Sequence, residues 1–177
     1  QLTSGDFLIS LREIQGFVGA HEWRKKGVAI AALDSKKIHA YYGVFSPIRG
    51  EYLDLIANAT LPAPTQLAFD IGTGTGVISA VLASRGIQKI IATDIDDRAI
   101  QCASSNIKNL GFEKQIIIEK KNLFPEGKAD LIVCNPPWLP AKPTSAIERA
   151  VYDEDSEMVK AFLNGVGARL NENGEAW

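Results

Sequence analysis

Leu67-Ala68-Phe69-Asp70-Ile71-Gly72-Thr73-Gly74-Thr75-Gly76 joins an apolar run to a glycine-rich turn. Its first three residues form an apolar run of strand length, glycines follow at alternate positions, and Val77 to Ala83 carries helical spacing. Strand, tight turn and helix in that order open a parallel α/β sheet. The glycines lack the Cβ atoms that would hold a ligand away from backbone N–H groups at the helix start. The turn therefore predicts a bed for a nucleotide-like cofactor, against the plainer reading in which glycine serves only packing.

Two neighbours narrow that cofactor. Dinucleotide folds space their glycines G-x-G-x-x-G around a pyrophosphate, whereas here the spacing is G-x-G-x-G. Asp70, two residues before the first glycine, would repel a pyrophosphate and attract a cationic amino group. S-adenosylmethionine carries such a group and no phosphate. A nicotinamide-dependent oxidoreductase would use a similar sheet, and Asp70 and the missing third-glycine spacing disfavour it.

Lys89 to Asp94 reads as the second strand and ends in an acid about twenty residues after the turn, where such folds place a carboxylate on ribose hydroxyls. Asp94 is the expected ribose ligand, with Ile95 beside it. Either Asp96 or Asp97 could cap a helix from Arg98 to Leu110, with Gly111 as its stop; Asp97 is the expected cap. Ile116 to Asn122 reads as a third strand, which puts Asn122 and Leu123 at a carboxyl end, where open sheets bind ligands. The Asn122 amide could meet an adenine ring, or form an Asx-turn into Pro125-Glu126-Gly127.

Ala129 to Cys134 is a fourth strand, nearly continuous in apolar residues as a doubly covered parallel strand should be. It delivers Asn135-Pro136-Pro137-Trp138 to the same sheet edge. Asn supplies an acceptor and a donor, and proline lacks an N–H, so nearby carbonyls face an open pocket. A planar NH2 could donate one hydrogen to the Asn135 oxygen and the other to the Pro136 carbonyl. That is catalysis by orientation rather than by a strong base. Trp138 offers a flat apolar wall. The alternative is a rigid Pro-Pro turn beside a core tryptophan.

At these residues the chain resembles class I S-adenosylmethionine-dependent methyltransferases. Phe69 to Gly76, Thr93-Asp94-Ile95 and Asn135 to Trp138 are similar to the small-domain group with an N-P-P-aromatic signature, and most similar to release-factor glutamine methyltransferases of the HemK type. Val44 to Glu51 is similar to that group's proline-arginine-glutamate segment, through Pro47, Arg49 and Glu51. The likeness covers about residues 41 to 138. It implies that Asp70, Gly72, Thr73, Gly74 and Gly76 serve the cofactor, with Asp94 and Ile95 at its ribose and Asn122 and Leu123 at its adenine. It implies that Asn135, Pro136, Pro137 and Trp138 hold the acceptor nitrogen, Asn135 also facing the cofactor. Two departures stand out: Asn122 replaces the usual Asp, and Trp138 replaces the commoner Tyr or Phe.

The resulting expectation is an α/β, Rossmann-like, mainly parallel sheet with strands in the order 3-2-1-4 and then 5. Residues 1 to 60 form an N-terminal extension over the substrate side, and residues 61 to 177 the cofactor-binding core. Within the extension, Phe7 to Val18 is predicted helical. Val28 to Leu33 and Ile38 to Phe45 are predicted as a hairpin around Asp34 to Lys37, and Pro47 to Ala59 as a second helix. Leu61 to Pro64 is the linker. After a helix from Ser156 to Leu170 and a turn at Asn171 to Gly174, Glu175-Ala176-Trp177 reads as the start of a fifth strand. The family sheet would continue beyond it, and the first residue is not Met, so the chain is expected to be a fragment. A truncated sheet would leave an unpaired edge.

The length of 177 residues suits one domain with a full core. No apolar stretch approaches about eighteen residues, so no membrane span is expected and a cytoplasmic location is the default. Cys102 and Cys134 read as two buried thiols rather than a disulfide, and His21 and His39 stand isolated, so no metal is expected. A net charge of −2 argues mildly against a surface that tracks a phosphate backbone. The expected activity is N-methyl transfer from S-adenosyl-L-methionine. The preferred acceptor is a protein glutamine amide, and the alternatives are the exocyclic amine of adenine or guanine, or a catalytically silent nucleotide-binding domain.

Overall fold

The structure, a computed structural model, describes residues 9–142, 148 and 151–177. At its centre is β3 (Leu67–Ile71), flanked by β4 (Lys89–Asp94) and β6 (Ala129–Cys134), with β5 (Ile116–Lys120) and β7 (Leu170–Ala176) outside them. Every pairing in this five-stranded sheet is parallel, and its order, β5-β4-β3-β6-β7, is the expected 3-2-1-4-5. Side chains alternate across each strand. Leu131 and Val133 therefore enter one core with Ile78, Val81 and Ile90, while Ile132 enters the other with Phe69 and Phe162. β3 and β6, in the middle of the sheet, are covered on both faces, which is why they read as nearly continuous apolar runs.

α3 (Val77–Ser84) is buried along nearly its whole length, and α4 (Asp97–Leu110) and α5 (Glu157–Arg169) complete the layers. Asp96, and not the expected Asp97, is the N-cap of α4: it accepts the Arg98 N–H at 2.9 Å, while Asp97 is the first helical residue and pairs with Lys120 at 2.7 Å. β5 stops at Lys120, short of Asn122: the Lys121 N–H makes the last ladder bond, to the Asp94 carbonyl at 3.0 Å, and the chain then turns away at Leu123, which is left-handed (φ 64°).

β7 begins at Leu170, earlier than predicted. The expected turn at Asn171 to Gly174 is a bulge inside the strand, held where the Asn171 amide donates to Asp130 at 2.7 Å. Leu131 then pairs with Glu175 and Ile132 with Ala176.

α1 (Leu11–Lys26) starts later than predicted and runs on past Val18, and Phe7 and Leu8 lie outside the described residues. Its extension is supported by the Glu22–Lys26 pair at 2.6 Å and by three basic residues at the negative end of the helix. Gly27 (φ 69°) follows its last residue.

The predicted hairpin is present but shorter. β1 (Val28–Ile30) pairs antiparallel with β2 (Lys36–Ile38) around left-handed Asp34 and Ser35. From His39 the chain leaves the ladder, because Asn106 of α4 takes its backbone groups: Oδ1 accepts the His39 N–H at 2.9 Å and Nδ2 donates to its carbonyl at 3.1 Å. α2 (Glu51–Asn58) starts after Gly50 rather than at Pro47 and buries Leu53 and Ile56. Among the described residues no helix is long and apolar enough to cross a membrane.

Candidate cofactor and acceptor site

The turn after β3 is built by backbone bonds that need glycine. Gly72, Gly74 and Gly76 have φ of 72°, 55° and 79°, a region that disfavours any side chain. The N–H groups of Gly72 and Thr73 both donate to the Thr93 carbonyl at 2.9 Å, which fastens the turn to β4. Asp94 continues the fastening: Oδ2 accepts the Gly74 N–H and Oδ1 the Asp96 N–H, each at 3.0 Å. Burial pushes the Asp94 carboxyl above its usual range, and these N–H donors pull the other way.

Asp70 lies beneath the turn, fully buried. Its Oδ2 accepts the Thr73 hydroxyl at 2.7 Å, the Ser79 hydroxyl at 2.5 Å and the Ser79 N–H at 3.0 Å. Its Oδ1 is buried and has no hydrogen-bond partner among the described residues. Burial raises the Asp70 carboxyl, and the bonds to Ser79 and Thr73 oppose that.

Above the turn is a cavity of about 600 Å³. Its wall takes Gly72, Thr73 and Gly74 from the turn after β3, Asp94 and Ile95 from the end of β4, Asn122 and Leu123 after β5, and Asn135 to Trp138 after β6. Residues far apart in the chain thus meet at the carboxyl edge of the sheet. Two expected members stand outside the wall. Asp70 is behind it, and Gly76 is at the α3–α4 contact, where an added Cβ would lie 3.2 Å from that of Ala103. At Gly76 the lack of a Cβ lets α3 pack closely on α4.

Trp138 is 56% exposed, so the core-tryptophan alternative is set aside. Phe45 meets its ring edge-on, with centroids 5.7 Å apart and planes at 87°. Leu123 keeps its left-handed backbone while its carbonyl accepts the Thr93 hydroxyl at 2.6 Å. Asn122 is exposed at the rim. Arg49 and Glu51, the charged residues of the segment likened to the family, are exposed and do not line the cavity.

Sequence reasoning missed Val44, Phe45, Tyr52, Arg98, Lys121 and Met158, all of which line the cavity. Phe45 and Tyr52 had a signal, since they flank the Pro47 to Glu51 stretch expected over the pocket. Met158 had none. Burial, with the Asp70 charge added, pushes the Tyr52 hydroxyl up to about 12. Among the described residues no group of three or more His, Cys, Asp or Glu could hold a metal ion.

Residues 36–177 match the family model described as the methyltransferase small domain. The chain belongs to that family. It is 30% identical over 123 residues to a putative protein N5-glutamine methyltransferase of Methanocaldococcus jannaschii, covering 67% of this chain and 59% of that protein. It is 28% identical over 131 residues to a tRNA1(Val) (adenine(37)-N6)-methyltransferase of Cytophaga hutchinsonii, covering 69% and 55%. The chain thus spans less than two thirds of the length of either relative. Among solved structures, a ribosomal protein L11 methylase of Lactobacillus delbrueckii subsp. bulgaricus superposes with a TM-score of 0.58 at 25% identity, over 81% of this chain and 66% of that one.

Proposed function

We propose that this methyltransferase domain transfers a methyl group from S-adenosylmethionine to a planar NH2 nitrogen, with a protein glutamine amide as the preferred acceptor. The observation that carries the reading is one cavity wall holding both the Gly72 to Gly74 turn with Asp94 and the Asn135 to Trp138 tetrad. The residues present fit the cofactor. Asp70 stands behind the turn rather than on the wall, and its Oδ1, buried with no partner among the described residues, leaves a carboxylate charge beneath glycines that allow close approach, a field that suits a cationic amino group. Gly72, Thr73 and Gly74 would bed the amino acid end, Asp94 the ribose hydroxyls, and Asn122 with Leu123 the adenine.

When bound, the cofactor supplies a methyl on a sulfonium. The chain's own part is placement. Asn135 accepts one amide hydrogen through its side-chain oxygen and the Pro136 carbonyl accepts the other, so the nitrogen lone pair is aimed across the cavity. Trp138 and Phe45 exclude water from one side of the planar group. No protein base is required before attack, because the proton can leave the nitrogen after the new bond forms.

The M. jannaschii relative supports glutamine as acceptor. A second reading, the exocyclic amine of adenine, is favoured by the exposed flat face of Trp138, wider than the commoner Tyr or Phe, and by the C. hutchinsonii relative. Methylation of a cell lysate with labelled cofactor, split into protein and RNA fractions, separates them. Label in protein is the expected result, label in RNA transfers the assignment to the second reading, and label in neither overturns the methyl-transfer assignment.

A further inference from the structure

Leu139, the residue after Trp138, sits beside Tyr152 and Asp153. Leu139 bridges Tyr152 in parallel: the Leu139 N–H donates to the Val151 carbonyl at 3.1 Å, and the Asp153 N–H donates to the Leu139 carbonyl at 2.8 Å. Asp153 is only 9% exposed, rare for a carboxylate without a purpose. Its two oxygens accept the backbone N–H groups of Met158 at 3.0 Å and Val159 at 3.2 Å. These are donors that the first turn of α5 leaves without intrahelical partners. The side chain of Ser156, directly before the helix, makes no cap.

The turn in between is strained. Asp155 and Ser156 have φ of 55° and 54°, a left-handed backbone that side-chain-bearing residues adopt only at a cost. The Asp153 carboxylate offsets that cost and fixes where α5 begins. What α5 delivers is Met158, which lines the cavity and whose Cε lies 3.1 Å from the position a Cβ on Gly72 would take. Asp153 therefore grips the stretch bearing Trp138 through its backbone and the wall above Gly72 through its side chain.

We propose that Asp153 is a positioning residue that couples the acceptor-side tetrad Asn135 to Trp138 to the cofactor-side wall formed by Gly72 and Met158. This rests on the reading of the cavity given above. Loss of the carboxylate lets the start of α5 and the Leu139 bridge shift independently, so cofactor affinity and acceptor geometry both respond to one residue that touches neither ligand.

S-adenosylhomocysteine is the probe, titrated by calorimetry into the wild type, Asp153→Ala and Asp153→Asn, with amide hydrogen exchange followed at Leu139, Met158 and Ile71. Asp153→Ala is expected to weaken binding roughly fivefold or more, the usual cost of a lost cap read as affinity. Asp153→Asn, which keeps one acceptor oxygen in the same shape, is expected to fall between. Exchange should quicken at both Met158 and Leu139 in Asp153→Ala while Ile71 in the central strand is unchanged. Unaltered affinity, or faster exchange at Met158 alone, overturns the coupling and leaves a simple helix cap. If Asp153→Ala does not fold, the nearly isosteric Asn variant carries the same test. A wild type that does not bind the probe defeats the cofactor reading instead, and the response of Leu139 exchange to Asp153 still decides the coupling.

Discussion

The carboxylate of Asp94 holds the Gly74 backbone N–H at 3.0 Å, so the acid assigned to the ribose also fixes the turn on which the cofactor would lie. Its second oxygen is engaged by the Asp96 N–H at the start of α4. One side chain thus sets the shape of the turn, the entry of a helix and the polarity of the cavity.

Asp94→Ala should therefore weaken S-adenosylhomocysteine binding by roughly 1.5–3 kcal/mol, the worth of charge-assisted bonds lost from a partly buried site. Exchange at the Gly74 amide should quicken in the same variant. Calorimetry that returns wild-type affinity would remove Asp94 from the site.

Asp70 predicts a pH dependence. Burial raises its carboxyl in the folded state, so the native protein holds that proton more tightly than the unfolded chain does. Between the ordinary carboxylate value of 3.8 and the raised folded value, the folded state binds more protons, and this group's contribution to stability falls as pH rises. Asp70→Asn can keep its oxygen on Ser79 and Thr73 and place an NH2 where Oδ1 stands orphaned, without the charge. Urea unfolding from about pH 4 to 7 should show the wild type losing stability relative to Asp70→Asn. Parallel curves for the two proteins would mean that Asp70 is not a penalised buried charge.

Asn135→Ala should leave S-adenosylhomocysteine affinity within about threefold, while turnover on the acceptor found in lysate falls roughly a hundredfold or more through lost orientation. Asn135→Asp keeps the acceptor oxygen and the shape but adds a charge beside the reacting nitrogen, which separates hydrogen bonding from electrostatics. Near-normal methylation by Asn135→Ala would reduce the Asn-Pro-Pro-Trp stretch to a structural turn.

Gly76→Ala should cost stability without entering the cavity. The new Cβ would meet Ala103 Cβ at 3.2 Å and its Cα at 3.3 Å, on a backbone at φ 79°. Strain of this sort costs on the order of 1–3 kcal/mol. The urea midpoint should drop, and S-adenosylhomocysteine affinity measured well below it should hold.

The two thiols should resist alkylation. Cys102 is buried as expected, whereas Cys134 is only half-buried; burial pushes Cys134 up to about 12, with the Asp70 charge adding to it, and Cys102 up to about 11. At neutral pH both are protonated and unreactive, since the thiolate is the nucleophile. Iodoacetamide labelling near pH 8 should be far slower than for a free cysteine at its ordinary value of about 8.5. Rapid labelling of Cys134 would mean that the end of β6 opens to solvent.

The strand and turn alternation from Leu67 to Cys134 was legible because each piece is local. Apolar runs bounded by Gly, Pro and Asp report two-sided burial, and β4 and β6 lie where the residues alone placed them. Element ends were less legible where a distant group decided them. Asn106 takes the His39 backbone groups and shortens the hairpin, and pairing with β6 turns the Asn171 to Gly174 stretch into a bulge.

The candidate site divides along the same line. That Gly72, Gly74, Asp94, Leu123 and Asn135 arrive at one edge follows from the order of residues alone, because parallel strands deliver their C-terminal residues there whatever packs around them. The family is legible through the same residues. The inward turn of Asp70 to Thr73 and Ser79, the packing of α3 on α4 at Gly76, and the closing of the wall by Phe45 and Met158 arise only in the packed fold. Those outcomes depend on side-chain volumes and hydrogen-bond partners brought together across tens of residues, and no local periodicity encodes which of two surfaces a carboxylate or a glycine will face.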